Sequence, residues 1–473
     1  MPAEAPPTLI PGVPDDTTLA LVTIGGVLVL LVAAPLVAWL VRRGLDKAGL
    51  QGPTPHTPGL DWGRIAGLMA GFTVVAVGVP MLFPGTDASV RRILQSVISA
   101  LRPLAAPMFI LAADIITRGH SANRLIDVVM SFMGHIKGGL AISVTSACAL
   151  FGAVCGSTQA TVVAIGGAMR PRMLKSGYKD SFAIGLIVNA ADLAYLIPPS
   201  IGMIIYGVVS GTSISQLFIA GIVPGLLIVA LFSAYCMVYA YRHDIPVLPR
   251  EGWGQRLTAM RRALWPMGFP AIIVGGIYGG VFSPTEAAAI CVLYAAVLEV
   301  LIFRSVKLRD LWDIALSTGA ITSVVFILIA AGAAFSWTLS FAQVPQQIIA
   351  SLGLDEAGPL MVLLAVNIAF FVGCMFVDSI VVILILVPIF APMIKAAGLD
   401  PVLVGVLITL QVAIGAATPQ FGCNLFTAIA VFRRPFVEVV RGVPPFLIIL
   451  LIVTGLLVIF PQIALFLPEL AYR

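Results

Sequence analysis

Charge is what this sequence has least of. Only 10% of its 473 residues are Asp, Glu, Lys or Arg, against roughly 25% in a typical soluble domain, which excludes an ordinary water-soluble globule. Its four histidines form no cluster, so a histidine-based metal centre has no support. The six cysteines (Cys148, Cys155, Cys236, Cys291, Cys374 and Cys423) lie in apolar stretches with no CxxC spacing. They are expected to be small packing residues, not ligands or disulfides. No G-x-x-x-x-G-K-[ST] stretch occurs, so the chain does not itself spend ATP. The G-x-S-x-G and H-E-x-x-H patterns of an intramembrane enzyme are missing too. The net charge of +5 is scattered through short loops and forms no basic face, which gives nucleic acid nothing to bind.

What is present is apolar sequence, 60% of the chain. Uncharged runs at 18–41, 217–241 and 443–460 are each long enough to cross a hydrocarbon core about 30 Å thick as a helix. Backbone groups in lipid must be satisfied within a helix or a closed barrel, and the alternation of barrel strands is nowhere visible. An all-α polytopic membrane protein follows. Residues 1–17 are Pro-rich and acidic, without the positive start of a signal peptide. The first apolar run is followed by Arg42-Arg43, so a retained anchor with an outside N-terminus is expected.

Loop charge orders the rest. Spans are expected at 18–41, 62–83 and 97–117, then an amphipathic stretch at 122–136. Residues 138–169 are apolar but interrupted by Gly152, Gly156-Ser157-Thr158 and Gly166-Gly167, and both flanks are basic. A re-entrant hairpin with its tip at Gly156-Ser157-Thr158 keeps both flanks inside. Spans then follow at 181–209 (broken at Pro198-Pro199), 217–241, 264–281, 287–303 and 311–340, with Arg242–Arg262 as a basic loop. A second hairpin (358–393, tip near 376–379), a span at 401–432 broken at Thr418-Pro419, and a last span at 443–466 complete the chain. Only Arg91, Arg92, Arg102, Lys395 and Arg473 fall away from the inner side. Five spans separate the hairpins, so the two halves are expected to have opposite orientation.

The halves also share sequence. At a constant offset of 220, Phe151 matches Phe371, Val162 Val382, Ile165 Ile385, Met173 Met393 and Lys175 Lys395. Asp180 matches Asp400, Gly185 Gly405, Pro199 Pro419 and Gly202 Gly422. Both copies place Pro and Gly inside an apolar run, and such paired breaks are the best sequence pointer to a transporter's binding site.

A helix broken at mid-membrane exposes carbonyl oxygens on one side of the break and N–H groups on the other. The carbonyls suit a bare monovalent cation and the N–H ends a carboxylate. Gly156-Ser157-Thr158 is expected to face Pro198-Pro199-Ser200, and the 376–379 tip to face Thr418-Pro419-Gln420. Hydroxyls at Ser157, Thr158, Ser200, Ser379 and Thr418 would add oxygen ligands to two sodium sites with the substrate between them. Ser157, Thr158, Pro199, Asp192, Gln420 and Asn424 are the candidates to line that substrate. Asp378, at the repeat position of Thr158, could ligate sodium or pair with a Lys or Arg. Asp192 could do the same or hydrogen-bond backbone. Asn189, Asn367, Gln411 and Asn424 read individually as interhelical glue. Glu286, in Ser283-Pro284-Thr285-Glu286, reads as a helix start.

Several of these stretches are similar to one family. Cys155-Gly-Ser-Thr-Gln-Ala-Thr161, Met173-Leu-Lys-Ser-Gly-Tyr178, Leu196-Ile-Pro-Pro-Ser200 and Ile205-Tyr206-Gly207 resemble the large membrane subunit of TRAP (tripartite ATP-independent periplasmic) transporters. So do Leu217-Phe-Ile-Ala-Gly-Ile-Val-Pro-Gly225, Ser283-Pro-Thr-Glu-Ala-Ala-Ala289, the Ile414–Gly422 stretch and the closing Pro461 and Leu467-Pro468. The resemblance spans roughly 65–470 and is most specific in 150–225. It implies an elevator transporter of the bacterial inner membrane, built on inverted repeats, coupled to two or more sodium ions and importing a small organic acid. A small four-helix membrane subunit and a periplasmic substrate-binding protein are the implied partners, and no organic cofactor is implied. The implied sodium sites fall on Gly156, Ser157, Thr158, Pro198 and Ser200 in one half. In the other they fall on Asp378, Ser379, Thr418 and Gly422. Two departures stand out: Gln420 replaces the second proline of the usual Thr-Pro-Pro break, and the 18–41 span is extra.

The expected organisation is therefore an N-terminal extension (1–60), scaffold helices with an amphipathic arm (61–137), and a first transport repeat (138–225). Further scaffold (226–357), a second transport repeat (358–432) and a C-terminal helix (433–473) follow. The rival reading is a sodium/carboxylate symporter of similar inverted-repeat fold that needs no binding protein.

Overall fold

Apolar sequence punctuated by Pro, Gly and Ser folds here into helices joined by short turns. The computed structural model describes residues 105–119, 121–341, 343, 358–419 and 422–471, and among them every regular element is helical. The expected spans at 18–41 and 62–83, the start of the one at 97–117, and Gln420 lie outside the described residues.

The chain opens with α1 (Ala105–Arg118) and the amphipathic α2 (Ser121–Met133). A hairpin follows, α3 (Gly139–Cys155) and α4 (Thr158–Lys175). Next comes a split helix, α5 (Asp180–Ala191) and α6 (Leu193–Leu196) before the break and α7 (Ile201–Ser210) after it. The long α8 (Ile214–Arg242), α9 (Trp253–Tyr278), α10 (Pro284–Ala296, extended by a π-helical turn Val297–Ile302) and α11 (Leu308–Phe341) come next. A second hairpin, α12 (Pro359–Phe376) and α13 (Ser379–Ala396), precedes a second split helix, α14 (Pro401–Ala416) and α15 (Cys423–Phe432). The chain ends with α16 (Phe436–Arg441), α17 (Pro444–Ile459) and α18 (Gln462–Ala471).

Local chemistry sets these boundaries. Pro284, Pro359, Pro401 and Pro444 open their helices, where a missing N–H costs nothing. Ser283 accepts from Glu286 N while Glu286 Oε2 accepts from Ser283 N, a capping box that gives Glu286 the structural role its sequence suggests. The first split helix bends by 40° at 197–200, because two prolines remove donors and push the residues before them out of helical geometry.

Two expected boundaries need correcting. The Arg242–Arg262 loop is shorter, since α9 already begins at Trp253, where Gln255 Oε1 accepts from Gly252 N and the basic residues are good helix formers. The last span is also not straight: α17 and α18 bend by 61° at Pro461, which cannot donate to the preceding turn. In addition α8 runs unbroken through Pro224, so the expected edge at 225 falls inside a helix.

The order hairpin then split helix occurs twice, and with α5 and α6 taken as one pre-break half the helix bounds recur at the 220-residue offset to within two residues. The packing recurs with them. Within each copy the first hairpin helix packs on its partner and on the pre-break half (α3 on α4 and α5; α12 on α13 and α14). Between copies the post-break halves exchange: α15 packs on α4, and α7 on α13. Around this core, α1 packs on α10 and α11, α9 on α2 and α10, and α11 on α13.

Outer faces carry many large apolar side chains. Leu226, Leu293, Val324, Ile327, Ile368 and Ile452 are exposed, and such a surface fits lipid rather than water. Five described helical stretches are long and apolar enough to cross a bilayer. The six cysteines are all free, five of them buried.

The ends of the two copies are tied by charge. Asp180 accepts from Arg170 Nε and Nη2 at 2.7 and 2.6 Å, and from Arg434 Nε at 2.9 Å. The Arg170–Asp180 side chains are only 14% exposed and that of Arg434 is 43%. Asp180→Ala is therefore expected to cost about 1.5–3 kcal/mol in thermal unfolding, as lost charge-assisted bonds do. Arg434→Ala, at an exposed site, should cost under about 1 kcal/mol; equal losses would show that the bidentate pair carries no special weight.

Candidate ion and substrate site

The first hairpin turns on Gly156, whose φ of 60° is left-handed and open to glycine at little cost. Ser157 then caps α4, its Oγ accepting from Ala160 N at 3.4 Å. A methyl group on Gly156 would stand 2.4 Å from the carbonyl oxygen of Pro199. The tip of hairpin one and the break of split helix one thus meet backbone to backbone, as their spacing predicts. Pro198 and Pro199 are joined by a cis peptide bond. Ser200, fully buried, caps α7 by accepting from Met203 N at 3.2 Å. From behind, α8 closes on the break where Gly221 passes Leu196: a methyl group there would lie 2.1 Å from the Leu196 carbonyl oxygen. That contact gives the glycine of the Leu217–Gly225 motif a physical reason.

The second tip has the same layout with different chemistry. Asp378 caps α13 through Oδ2, which accepts from Ile380 N at 2.9 Å. Its Oδ1 lies 3.8 Å from Cys423 Sγ, at the start of the post-break helix, so hairpin two meets its own broken helix. No Lys or Arg pairs with Asp378 among the described residues. Thr418 Oγ donates to Gly415 O at 2.7 Å, and Gly422 packs its Cα against the carbonyls of Ala416 and Thr418. Ser379 is buried.

A buried polar chain joins the two copies. Thr158 Oγ1 donates to Asn424 Oδ1 at 2.8 Å, and Asn424 Nδ2 donates to Asp192 Oδ1 at 2.8 Å. Thr158 and Asn424 are fully buried and Asp192 is 1% exposed. Asp192 Oδ2 has no hydrogen-bond partner among the described residues, and neither has Asn189 Oδ1. Asp192 therefore bonds a side chain of the other copy and not backbone. The hydroxyls of Ser157 and Ser200 spend one lone pair on a cap and keep another, and Thr418 and Thr158 donate while their lone pairs stay available. Such an assembly presents carbonyl, hydroxyl and carboxylate oxygens, the donor set of a hard cation. Ser157 and Asp378 are the partly exposed members; the others are sealed behind them.

Sequence reasoning missed two acids. Asp114, an acid inside the apolar α1, accepts from Thr318 Oγ1 at 2.7 Å. Glu299 is fully buried in the π-helical turn, where Ser121 and Ser305 donate to its two carboxylate oxygens. Both acids could have been flagged as carboxylates within apolar runs.

The description "Tripartite ATP-independent periplasmic transporter, DctM component" belongs to the family profile that matches residues 62–463. The ectoine/5-hydroxyectoine TRAP transporter large permease protein of Ruegeria pomeroyi is 67% identical over 399 residues, covering 84% of this chain and 93% of that protein. The ectoine TRAP transporter large permease protein of Halomonas elongata is 61% identical over 416 residues, covering 85% and 97%. The C4-dicarboxylate TRAP transporter large permease protein of Pseudomonas aeruginosa is 39% identical over 369 residues, covering 77% and 86%. These relatives are permease subunits and not enzymes. The match at 62–463 and the apolar helices make this a multi-pass protein of the inner membrane: the chain belongs to the DctM component of tripartite ATP-independent periplasmic transporters.

Proposed function

We propose that this chain imports ectoine or 5-hydroxyectoine, driven by a sodium gradient, as the large permease subunit of a three-part transporter. The observation that carries the mechanism is the double meeting of hairpin tip and helix break, Gly156 on Pro199 O and Asp378 on Cys423. Each tip holds the oxygen donors a bare sodium ion needs, with Gly156, Ser157, Thr158, Pro198 and Ser200 on one side. Asp378, Ser379, Thr418 and Gly422 serve the other. Bound sodium would supply positive charge that favours a carboxylate between the sites, near Ser157, Thr158 and Pro199. The substrate is inferred from the two relatives above 60% identity, both named for ectoine. Ectoine carries a carboxylate, which helix N-termini at both breaks would favour.

Opposite orientation of the copies is supported by the exchange of post-break helices and by five spans between hairpins. The Asp180–Arg434 contact supports one common inner face for the 170–175 and 433–441 basic clusters. On this reading both hairpins and split helices move together, as an elevator, against the helices around them. A four-helix small subunit and a periplasmic binding protein complete the transporter.

The test is uptake of labelled ectoine by proteoliposomes holding this chain and its small subunit. An inward sodium gradient is imposed with and without the binding protein. Uptake should require both. Uptake without the binding protein would make the chain a self-sufficient symporter, and a dicarboxylate carried in place of ectoine would overturn the substrate. Asp378→Ala and Ser200→Ala should each lower sodium-dependent uptake about tenfold or more, as loss of one ion ligand worth at least 1.4 kcal/mol does. Wild-type sodium dependence would remove those side chains from the ion sites.

A further inference from the structure

We infer that the groove between α2 and α9 binds the head group of an anionic phospholipid. A cavity of about 290 Å³ lies there, lined by Arg124 and Asp127 of α2 and by Gln255, Thr258 and Arg262 of α9. Residues 254, 258 and 262 stand one turn apart and so share one helix face. Arg124 is held in place by stacking, its guanidinium 3.5 Å from the centre of the Phe303 ring. Next to the groove Arg256 is 5% exposed, sits between the Phe132 and Trp253 rings, and places Nη2 3.4 Å from His135 Nδ1. Its Nε has no partner among the described residues. Against the two lining arginines stands Asp127, whose charge is shared with Arg172 at 3.8 Å. The groove is therefore net positive and has the guanidinium geometry that suits a phosphate.

The surroundings choose between a soluble anion and a lipid. On the neighbouring face of α9, Trp253 is 74% exposed, Leu257 47%, Leu264 66% and Trp265 48%. Tryptophans flanking basic residues mark the membrane–water interface. Free phosphate would satisfy the arginines and leave this apolar face in water. A phospholipid satisfies both, phosphate on Arg124 and Arg262 and acyl chains along Leu257 and Leu264. Basic pockets between helices on the cytoplasmic side suit anionic head groups, and loop charge puts residues 242–262 on that side. None of these residues belongs to the tips or breaks, so the inference stands whatever the substrate.

Native mass spectrometry of the purified protein, titrated with phosphatidylglycerol or phosphatidylcholine, tests it. Wild type should retain phosphatidylglycerol roughly tenfold or more over phosphatidylcholine, as two arginines near a phosphate predict. Arg124→Ala with Arg262→Ala should erase that preference. Arg262→Glu, at an exposed position that leaves packing intact, should erase most of it alone. Asp127→Asn should strengthen retention, a change in sign that lost packing cannot mimic. Equal retention of the two lipids, undiminished preference in the arginine variants, or displacement of phosphatidylglycerol by millimolar inorganic phosphate would each overturn the site.

Discussion

Gly156→Ala is expected to abolish sodium-driven uptake, while Gly167→Ala, eleven residues on, leaves it at the wild-type rate. At Gly156 two costs coincide. The backbone φ of 60° costs a residue with a Cβ about 1–2 kcal/mol. The added methyl group would also stand 2.4 Å from Pro199 O, a distance no carbon tolerates. Both colliding partners are backbone, so no rotamer relieves the clash and the tip must back away from the break. A displacement of about 1 Å in a preorganised site costs on the order of a hundredfold in rate, and here it would separate both walls of the first proposed ion site. Gly167 has open space around it and sits inside α4, where alanine is the better helix former and should stabilise by about 0.4–1 kcal/mol. The pair separates a local requirement from a general intolerance of the hairpin. Uptake and thermal unfolding of both variants decide it; a Gly156→Ala protein transporting at half the wild-type rate would mean that the tip and the break need not touch.

Three of the four breaks were legible because proline and glycine act locally, and the second tip, Phe376-Val-Asp-Ser379, only through its repeat position. A Pro-Pro pair in an apolar run cannot continue a helix whatever surrounds it, and the 220-residue offset showed that the second copy repeats the interruption. The family was legible for the same reason, since its most specific stretch, 150–225, is made of those breaks and the glycines packed on them. What the sequence hid was long-range or ambiguous. Nothing near Thr158 names Asn424, 266 residues away, and nothing near Asp114 names Thr318, 204 residues away; only packing brings them together. The start of α9 was hidden because Arg256, Arg261 and Arg262 look like a solvated loop, whereas they lie in the first turns of a helix. Pro461 was visible, but the apolar run continues beyond it to Leu467, and hydropathy cannot tell a bent span from a straight one.

Asp192 and Asn424 should respond to substitution in opposite ways. Asp192→Asn is expected to keep the fold and lose at least tenfold in sodium-dependent uptake; Asn424→Leu is expected to lose both. Asp192 is 1% exposed and bonds only Asn424 through Oδ1, with Oδ2 unpartnered among the described residues. A carboxylate so placed is costly unless a cation balances it. An asparagine oxygen accepts from Asn424 Nδ2 as a carboxylate does, so the brace between the copies survives while the negative charge goes. Unfolding should therefore stay at or above the wild-type temperature, and the ion dependence of uptake should collapse. Asn424→Leu removes the donor from Asp192 and the acceptor from Thr158 together. Hydrogen bonds between neutral groups of membrane helices average only about 0.6 kcal/mol, because an alternative partner is usually within reach. A buried carboxylate stripped of its one donor has none, so the larger figure of about 1.5–3 kcal/mol for a hydrogen bond to a charged group governs here. Asp192→Asn with wild-type sodium dependence would reduce Asp192 to a brace and move the coupling ions to the hairpin tips alone. An Asn424→Leu protein of unchanged stability would show that the two copies are held together by apolar contact and the Asp180 ion cluster, with the polar chain adding nothing.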